Sequence, residues 1–201
     1  PALAPLLPTV NGGHVLLLDS GANTDCKPAY LQQFALMGAA YMMCVHGLPQ
    51  PRVGLLNNGA ESEKGNELTK AAYALLEQTP IRFAGNCEAR DVLFGDFDVV
   101  VCDGFDGNVL LKGIEGTAGA MMTLLRQNLK LSLRTKLGAA LAMPAFRALK
   151  HALDYTEQGG APLLGVKGGV IKAHGSSNAK AFSNALLQAE RLVLGDVTGR
   201  I

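Results

Sequence analysis

The sequence contains no tryptophan, and aromatic residues make up only 5% of its 201 positions. That scarcity argues against an aromatic-rich binding surface. Its four cysteines, Cys26, Cys44, Cys87 and Cys102, form no C-x-x-C pair, and no histidine stands at metal-ligand spacing from them. They read as reduced thiols packed as small hydrophobes in a cytosolic protein, not as a zinc site or a disulfide framework. No G-x-G occurs, so the dinucleotide fingerprint is missing. The P-loop pattern G-x-x-x-x-G-K-[ST] and the G-x-S-x-G nucleophile elbow are missing too. No apolar run reaches the ~18–20 residues that span a bilayer. The start, Pro1-Ala2-Leu3-Ala4-Pro5, lacks the positive segment of a signal peptide.

What is present describes a globular chain. Hydrophobic residues are 48%, charged residues 17%, and there are 24 glycines. The length suits one sizeable domain with room for an excursion. The formal charge of +1 argues against a general nucleic-acid binder. That balance hides an asymmetry. Residues 1–115 hold 13 acids and 7 bases, whereas residues 116–201 hold 4 acids and 11 bases. From Gly116 to Leu153 there is no acid at all.

Hydrophobic patterning predicts strands at His14–Asp19, Arg52–Asn57, Ile81–Ala84, Asp98–Cys102 and Val170–Lys172. It predicts helices from Pro28 to Val45, from about Glu67 to Gln78, onward from Val109, and from Asn178 to Leu194. Strands alternating with helices predict an α/β chain with a mostly parallel sheet. Five loops rich in Gly, Asn and Asp follow the predicted strands: 19–23, 57–66, 85–88, 103–108 and 174–178. In a parallel sheet such loops gather at the carboxyl edge, where open α/β folds bind ligands.

These loops offer backbone amides, asparagines, one lysine and one histidine, a donor set suited to an oxyanion or phosphate. Lys64, between Gly59 and Gly65, is the candidate cation; the plain alternative is a solvated lysine paired with Glu61 or Glu63. Asn108 and Asn178 each precede a predicted helix and could serve only as N-caps. His174 lies in a Gly/Ser loop that could be a helix-entry turn. Asp19, Asp103 and Asp106 could be paired acids or Mg²⁺ ligands, but Asp beside Gly is ordinary turn chemistry, and no metal is assigned. Ser20, Ser176 and Ser177 have no base beside them, which disfavours covalent serine catalysis.

The acid-free stretch carries Arg126, Lys130, Arg134, Lys136, Arg147 and Lys150. Leu129, Leu133, Leu137 and Leu141 recur at i+4, with Gly138 and Pro144 positioned to weaken or break the helix. Residues 117–155 read as a basic, amphipathic helical excursion within a single domain of residues 1–201. One reading is contact with anionic lipid or an acidic protein, through Lys130, Leu133, Arg134, Lys136, Leu137, Arg147 and Lys150. The other is a helix that packs its leucines on the core.

Several of these segments together resemble the bacterial phosphate acyltransferases of the PlsX type. They are Leu17-Leu18-Asp19-Ser20-Gly21-Ala22-Asn23, Pro51-Arg52-Val53-Gly54-Leu55-Leu56-Asn57, Lys64-Gly65-Asn66, Gly85-Asn86-Cys87-Glu88-Ala89, Asp103-Gly104-Phe105-Asp106-Gly107-Asn108 and Val170-Ile171-Lys172-Ala173-His174-Gly175. The resemblance implies a Rossmann-like α/β/α fold, a cytoplasmic, peripherally membrane-associated homodimer, and no cofactor. The implied reaction is acyl–acyl carrier protein plus inorganic phosphate giving acyl phosphate, for phospholipid synthesis beside a membrane glycerol-3-phosphate acyltransferase. For that reaction Lys64 is assigned to phosphate or oxyanion charge and Asn108 to a donor beside it, a role the resemblance also suggests; His174 completes the candidate catalytic set through phosphate or leaving-group contact. Substrate or phosphate contact is expected from Asp19, Asn23, Asn57, Gly65, Asn66, Asn86, Asp103, Gly107, Gly175 and Ser176. The family's Asp-Ala-Met-Gly-Gly-Asp and Ser-Ala-Gly-Asn-Thr-Gly-Ala segments do not occur here, so the chain looks like the carboxyl-terminal part of such an enzyme. Alternatives are a phosphotransacetylase acting on coenzyme A thioesters, a decarboxylating dehydrogenase of related fold, and an inactive membrane-associated scaffold.

Overall fold

The computed structural model describes residues 1–152, 159–175 and 177–201, with the side chains of residues 150–152 left aside. The chain divides into two compact units, residues 1–108 with 155–201 and residues 109–154.

The first unit holds two sheets. Strands β2 (Leu6–Pro8), β3 (His14–Leu18), β6 (Val99–Val101), β4 (Arg52–Asn57) and β5 (Arg82–Glu88) lie in that spatial order. β2 is antiparallel to β3, and the remaining four strands run parallel. Strands β1 (Ala2–Leu3), β7 (Ala161–Leu164) and β8 (Ile171–Lys172) form a separate antiparallel sheet.

The apolar runs follow from burial on both faces of the parallel sheet. Leu16, Leu18, Val53, Leu55, Val99 and Val101 belong to the core cluster that includes helix α1 (Pro28–His46) and residues of α2 (Glu67–Glu77). Val15, Leu17 and Val100, at the alternate positions, are equally buried. Gly38 lets α1 press onto the sheet, since a Cβ there would lie 2.6 Å from Val99 Cγ1. Pro28 opens α1 at its first turn, where its missing N–H costs nothing, and Gly47 closes it in the left-handed conformation at φ 66°. Helix α6 (Ala179–Leu194) buries Ala181, Ala185, Gln188 and Leu192, and the short α7 (Val197–Arg200) follows it.

Hydrophobic patterning does not reveal β1, β2 and β7, because each is short and prolines punctuate them. Gly85–Glu88 is not a loop, since β5 continues through it in register with Leu55–Asn57. Helix α3 runs Gly104–Leu129 and so begins five residues before Val109. The loop 174–178 follows β8 of the antiparallel sheet, so it is not among the loops that close the parallel strands.

The second unit is helical. α3 continues to Leu129, then α4 (Leu133–Leu141) and α5 (Met143–Ala152) follow. One break falls at 130–132, where Ser132 caps α4 in a reciprocal pair with Thr135, and a second at Ala142, just before Pro144 as the sequence predicts; α4 runs through Gly138. Pro144 sits in the first turn of α5, which tolerates it. Leu133, Leu137 and Leu141 are 85%, 66% and 78% exposed, so the leucine stripe of α4 is not buried in a core. Among the described residues no helix is long and apolar enough to cross a membrane.

Candidate functional site at the carboxyl edge

The parallel strand order places the loop after β6 between the loops after β3 and β4. At ~4.8 Å per strand these three loops are immediate neighbours.

The β3 loop is organised by Asp19, which is completely buried. Its carboxylate accepts hydrogen bonds from the amides of Leu3 (2.9 Å), Gly21 (3.2 Å), Ala22 (3.1 Å) and Asn23 (2.7 Å), and from Asn23 Nδ2 (2.8 Å). Both oxygens are thereby occupied by donors of the chain itself. Asp19 is a positioning residue, with no lone pair left for a metal and no reason to meet a phosphate. Ser20 donates its hydroxyl to the Leu3 carbonyl, and Asn23 Nδ2 also donates to the carbonyl of Pro1. The loop is therefore tied to β1.

Helix α3 then docks on this loop. Gly104 N–H donates to the Asn23 carbonyl at 2.7 Å. A Cβ at Gly104 would stand 2.6 Å from that same oxygen, and one at Gly107 would overlap the carbonyl oxygen of Asp19. Only glycine allows the first turn of α3 to sit so close. Asp103 caps the helix, accepting from the Asp106 amide at 2.8 Å. Asn108 is consequently no N-cap: it lies inside α3, exposed, with its side chain over Gly21. Burial, and then the neighbouring Asp103 carboxylate, push the Asp106 carboxyl above its ordinary range.

The β4 loop is held from both sides. Asn57 Nδ2 donates to the Lys64 carbonyl (3.2 Å), and Asn86 Nδ2, from β5, donates to the Glu61 carbonyl (2.7 Å). Asn86 is 6% exposed, and its Oδ1 has no partner among the described residues. Gly65, at φ 102°, packs its Cα against Asn57 and Thr69 where no side chain fits. Asn66 caps α2 through the Thr69 amide at 2.9 Å. Lys64 is exposed, and neither Glu61 nor Glu63 lies within ion-pair distance of it. Its stem lies over Gly59, where a Cβ would be 2.8 Å from Lys64 Cγ.

The fifth predicted loop stands apart on the antiparallel sheet. His174 and Gly175 are exposed there, Asn178 caps α6 through the Ala181 amide at 2.9 Å, and Ser176 lies outside the described residues. Asn57 and Asn86 thus tie the loop after β4 that carries Lys64, whereas Asn108 stands over Gly21 of the loop after β3. Asp19, Asn23, Asp103 and Asn66 shape the carboxyl edge through backbone bonds. Gly107 and Gly65 allow its close approaches. The sequence carries one trace of the Leu3–Asp19 link, an acid followed by four small or turn-forming residues, Ser20 to Asn23.

Burial pushes the thiol of Cys26 up to about 11 and that of Cys87 to about 12, and Cys102 rises well above its usual value. These are not nucleophiles at neutral pH. Among the described residues no cluster of three His, Cys, Asp or Glu side chains is placed to hold a metal.

A mostly parallel sheet with a polar, glycine-permitted carboxyl edge defines a protein of the α/β class. A branched-chain phosphotransacylase from Enterococcus faecalis superposes with a TM-score of 0.56 over 96% of this chain and 66% of its own, at 17% identity. The chain belongs to the fatty acid synthesis protein family, whose profile matches residues 1–200. It is 53% identical over its whole length to a phosphate acyltransferase of Thermoanaerobacterium thermosaccharolyticum and 56% identical to one of Oceanobacillus iheyensis. It spans 60% of the length of each of these relatives.

Proposed function

We propose that this chain forms the carboxyl-terminal portion of a phosphate acyltransferase that makes acyl phosphate from acyl–acyl carrier protein and inorganic phosphate. The observation that carries the reading is its 53–56% identity, end to end, to proteins of that name. The loop chemistry agrees with it. Inorganic phosphate is already ionised near neutral pH and needs no general base. A phosphate oxygen attacks the thioester carbonyl, the carbonyl electrons move onto oxygen, and their return expels the carrier's thiolate, which takes a proton from solvent. The protein must hold the phosphate and stabilise the oxyanion. Lys64 supplies the positive charge and Asn108 a donor from the first turns of α3. Asn57 and Asn86 support the lysine loop. His174 and Gly175 are weaker candidates for phosphate or leaving-group contact, because their loop follows the other sheet.

The helical unit serves the same reading as the surface that meets a partner. Exposed Leu133 and Leu137, beside exposed Lys130, Arg134, Lys136 and Arg147, suit an anionic membrane surface or an acidic carrier protein. Lys150 belongs to the same basic set by sequence. A homodimer in the cytoplasm, peripherally bound to membrane and passing its product to a membrane glycerol-3-phosphate acyltransferase, completes the proposal.

The test is acyl-phosphate formation, trapped as the hydroxamate. It is run on the 201-residue chain alone and then with the amino-terminal portion of a relative supplied. Product in either case supports the reading; none in both overturns it. In the active mixture Lys64→Ala is expected to lower turnover ~10²–10³-fold, the worth of one well-placed oxyanion partner. The fold should be unchanged, because Lys64 is exposed.

A further inference from the structure

The antiparallel sheet carries a feature that acyl transfer at the carboxyl edge does not use. The turn joining β7 to β8 and the end of α6 with α7 enclose a groove of about 280 Å³, near the lower end of the range for small-molecule pockets. Its floor is aliphatic, with Leu164, Leu192 and Val197 buried and Ile201 half exposed. Its rim is the turn Gly165-Val166-Lys167-Gly168-Gly169. Lys167 is exposed and is the one charged side chain lining the groove, and no carboxylate lies within ion-pair distance of it among the described residues. None of the five turn amides donates to an acceptor among the described residues; the ladder ends at Leu163 N–H to the Val170 carbonyl. Thr198 adds a hydroxyl at the wall.

An aliphatic floor with a cationic, amide-rich rim is complementary to a chain that is apolar along its length and anionic at one end. We propose that this groove binds an anionic single-chain amphiphile, with its carboxylate or phosphate head at Lys167 and the Gly168–Gly169 amides and its tail over Leu192, Val197 and Ile201. Free fatty acids and acyl phosphates share that chemistry. The groove lies beside the carboxyl edge, because β7 pairs Leu163 with Leu3, whose amide Asp19 holds. The inference stands on the groove alone. Its failure would leave the acyl-transfer reading untouched.

The test titrates the full 201-residue chain with decyl phosphate, decanoate, decanol and inorganic phosphate below micellar concentrations, followed by calorimetry and backbone amide NMR. Saturable one-to-one binding is expected for decyl phosphate or decanoate, with shifts centred on residues 165–169 and Ile201. Decanol and inorganic phosphate should bind at least ~10-fold more weakly, since each lacks one half of the match. Equal binding of the two anions assigns the site to both head groups, and a preference for decyl phosphate assigns it to acyl phosphate. Lys167→Gln should weaken binding ~10-fold. Gly169→Leu should weaken it by adding bulk at a lining position, where a Cβ makes only ordinary contacts, 3.5 Å to Val193 Cγ2, 3.6 Å to the Ala189 carbonyl oxygen and 3.9 Å to Leu192 Cβ. Ile201→Asp, at an exposed position, provides a blocking change that leaves the core intact. Decanol binding as tightly as decyl phosphate, affinities unmoved by all three substitutions, or no saturable binding would each overturn the proposal.

Discussion

Asn108 shows how much a single residue's meaning depends on where its helix begins. Placed before a helix it would be a cap, and Asp would replace it freely; placed inside α3 with its amide over Gly21, it has no capping duty. Asn108→Asp is therefore expected to leave the free energy of unfolding within ~0.5 kcal/mol of wild type. It should also lower acyl-phosphate formation by at least ~10-fold, because a carboxylate repels both phosphate and oxyanion; full turnover would remove Asn108 from the site. A second residue-scale prediction concerns the opposite, amino edge of the sheet, where Arg52 and Asp98 hold the starts of β4 and β6. Arg52 donates its amide (2.7 Å), Nε (3.0 Å) and Nη2 (2.9 Å) to the Asp98 carboxylate. Burial pushes that carboxyl up, but the bonds from Arg52 outweigh it and hold the carboxyl below its ordinary range. A carboxyl depressed in the folded state lends stability that is fully present above its unfolded value of ~3.9 and is lost as pH falls through the folded value. Asp98→Asn should cost about 1–3 kcal/mol at neutral pH. Urea titrations across pH 2–7 should show the two proteins converging at the acid end; parallel curves would contradict this.

At the scale of elements, the parallel strands and main helices were legible because burial on both faces writes itself as unbroken Val/Leu runs, as in Val15–Leu18 and Val99–Val101. What was not legible depended on partners far along the chain. The start of α3 hides behind Gly104 and Gly107, two residues that read as loop and are there because the Asp19 loop approaches too closely for any side chain. β1 is two residues of an unremarkable Ala-Leu, and becomes a strand only by pairing with Leu163 and Leu164. The candidate cation and donor were visible from residue type and spacing, whereas the duty of Asp19 was not, since amides belong to every residue. Gly107→Ala tests the docking directly. The added methyl would overlap the Asp19 carbonyl and stand 2.7 Å from Cys102 Sγ, so a loss of about 1–3 kcal/mol in urea unfolding is expected. Gly113→Ala, further along α3 where a Cβ meets nothing, should instead gain ~0.5–1 kcal/mol from helix propensity.

For the whole molecule, the division of charge follows the division of architecture. Every acid but four precedes Gly116, and the helical unit beyond it presents bases and bare leucines on the same short helices. A surface of that kind binds an anionic bilayer only if both components contribute, at ~1 kcal/mol per base near the surface. Leu133→Glu with Leu137→Glu is expected to abolish sedimentation with anionic vesicles. Arg134→Gln with Lys136→Gln should weaken it and flatten its dependence on salt. If the same base changes raise the KM for acyl carrier protein and leave sedimentation alone, the surface serves the carrier instead.

The sealing of Asp19 has a consequence for how this edge can change. Its loop takes its shape from one carboxylate and a handful of peptide N–H groups, and those groups come with any amino acid except proline. The exposed side chain of Ala22 is thus free of architectural duty, unlike those of Ser20 and Asn23, which bond back to the chain. It is an interchangeable tile on a fixed frame, so selection, or a designer, can alter what the loop shows there to a ligand without rebuilding the loop that shows it.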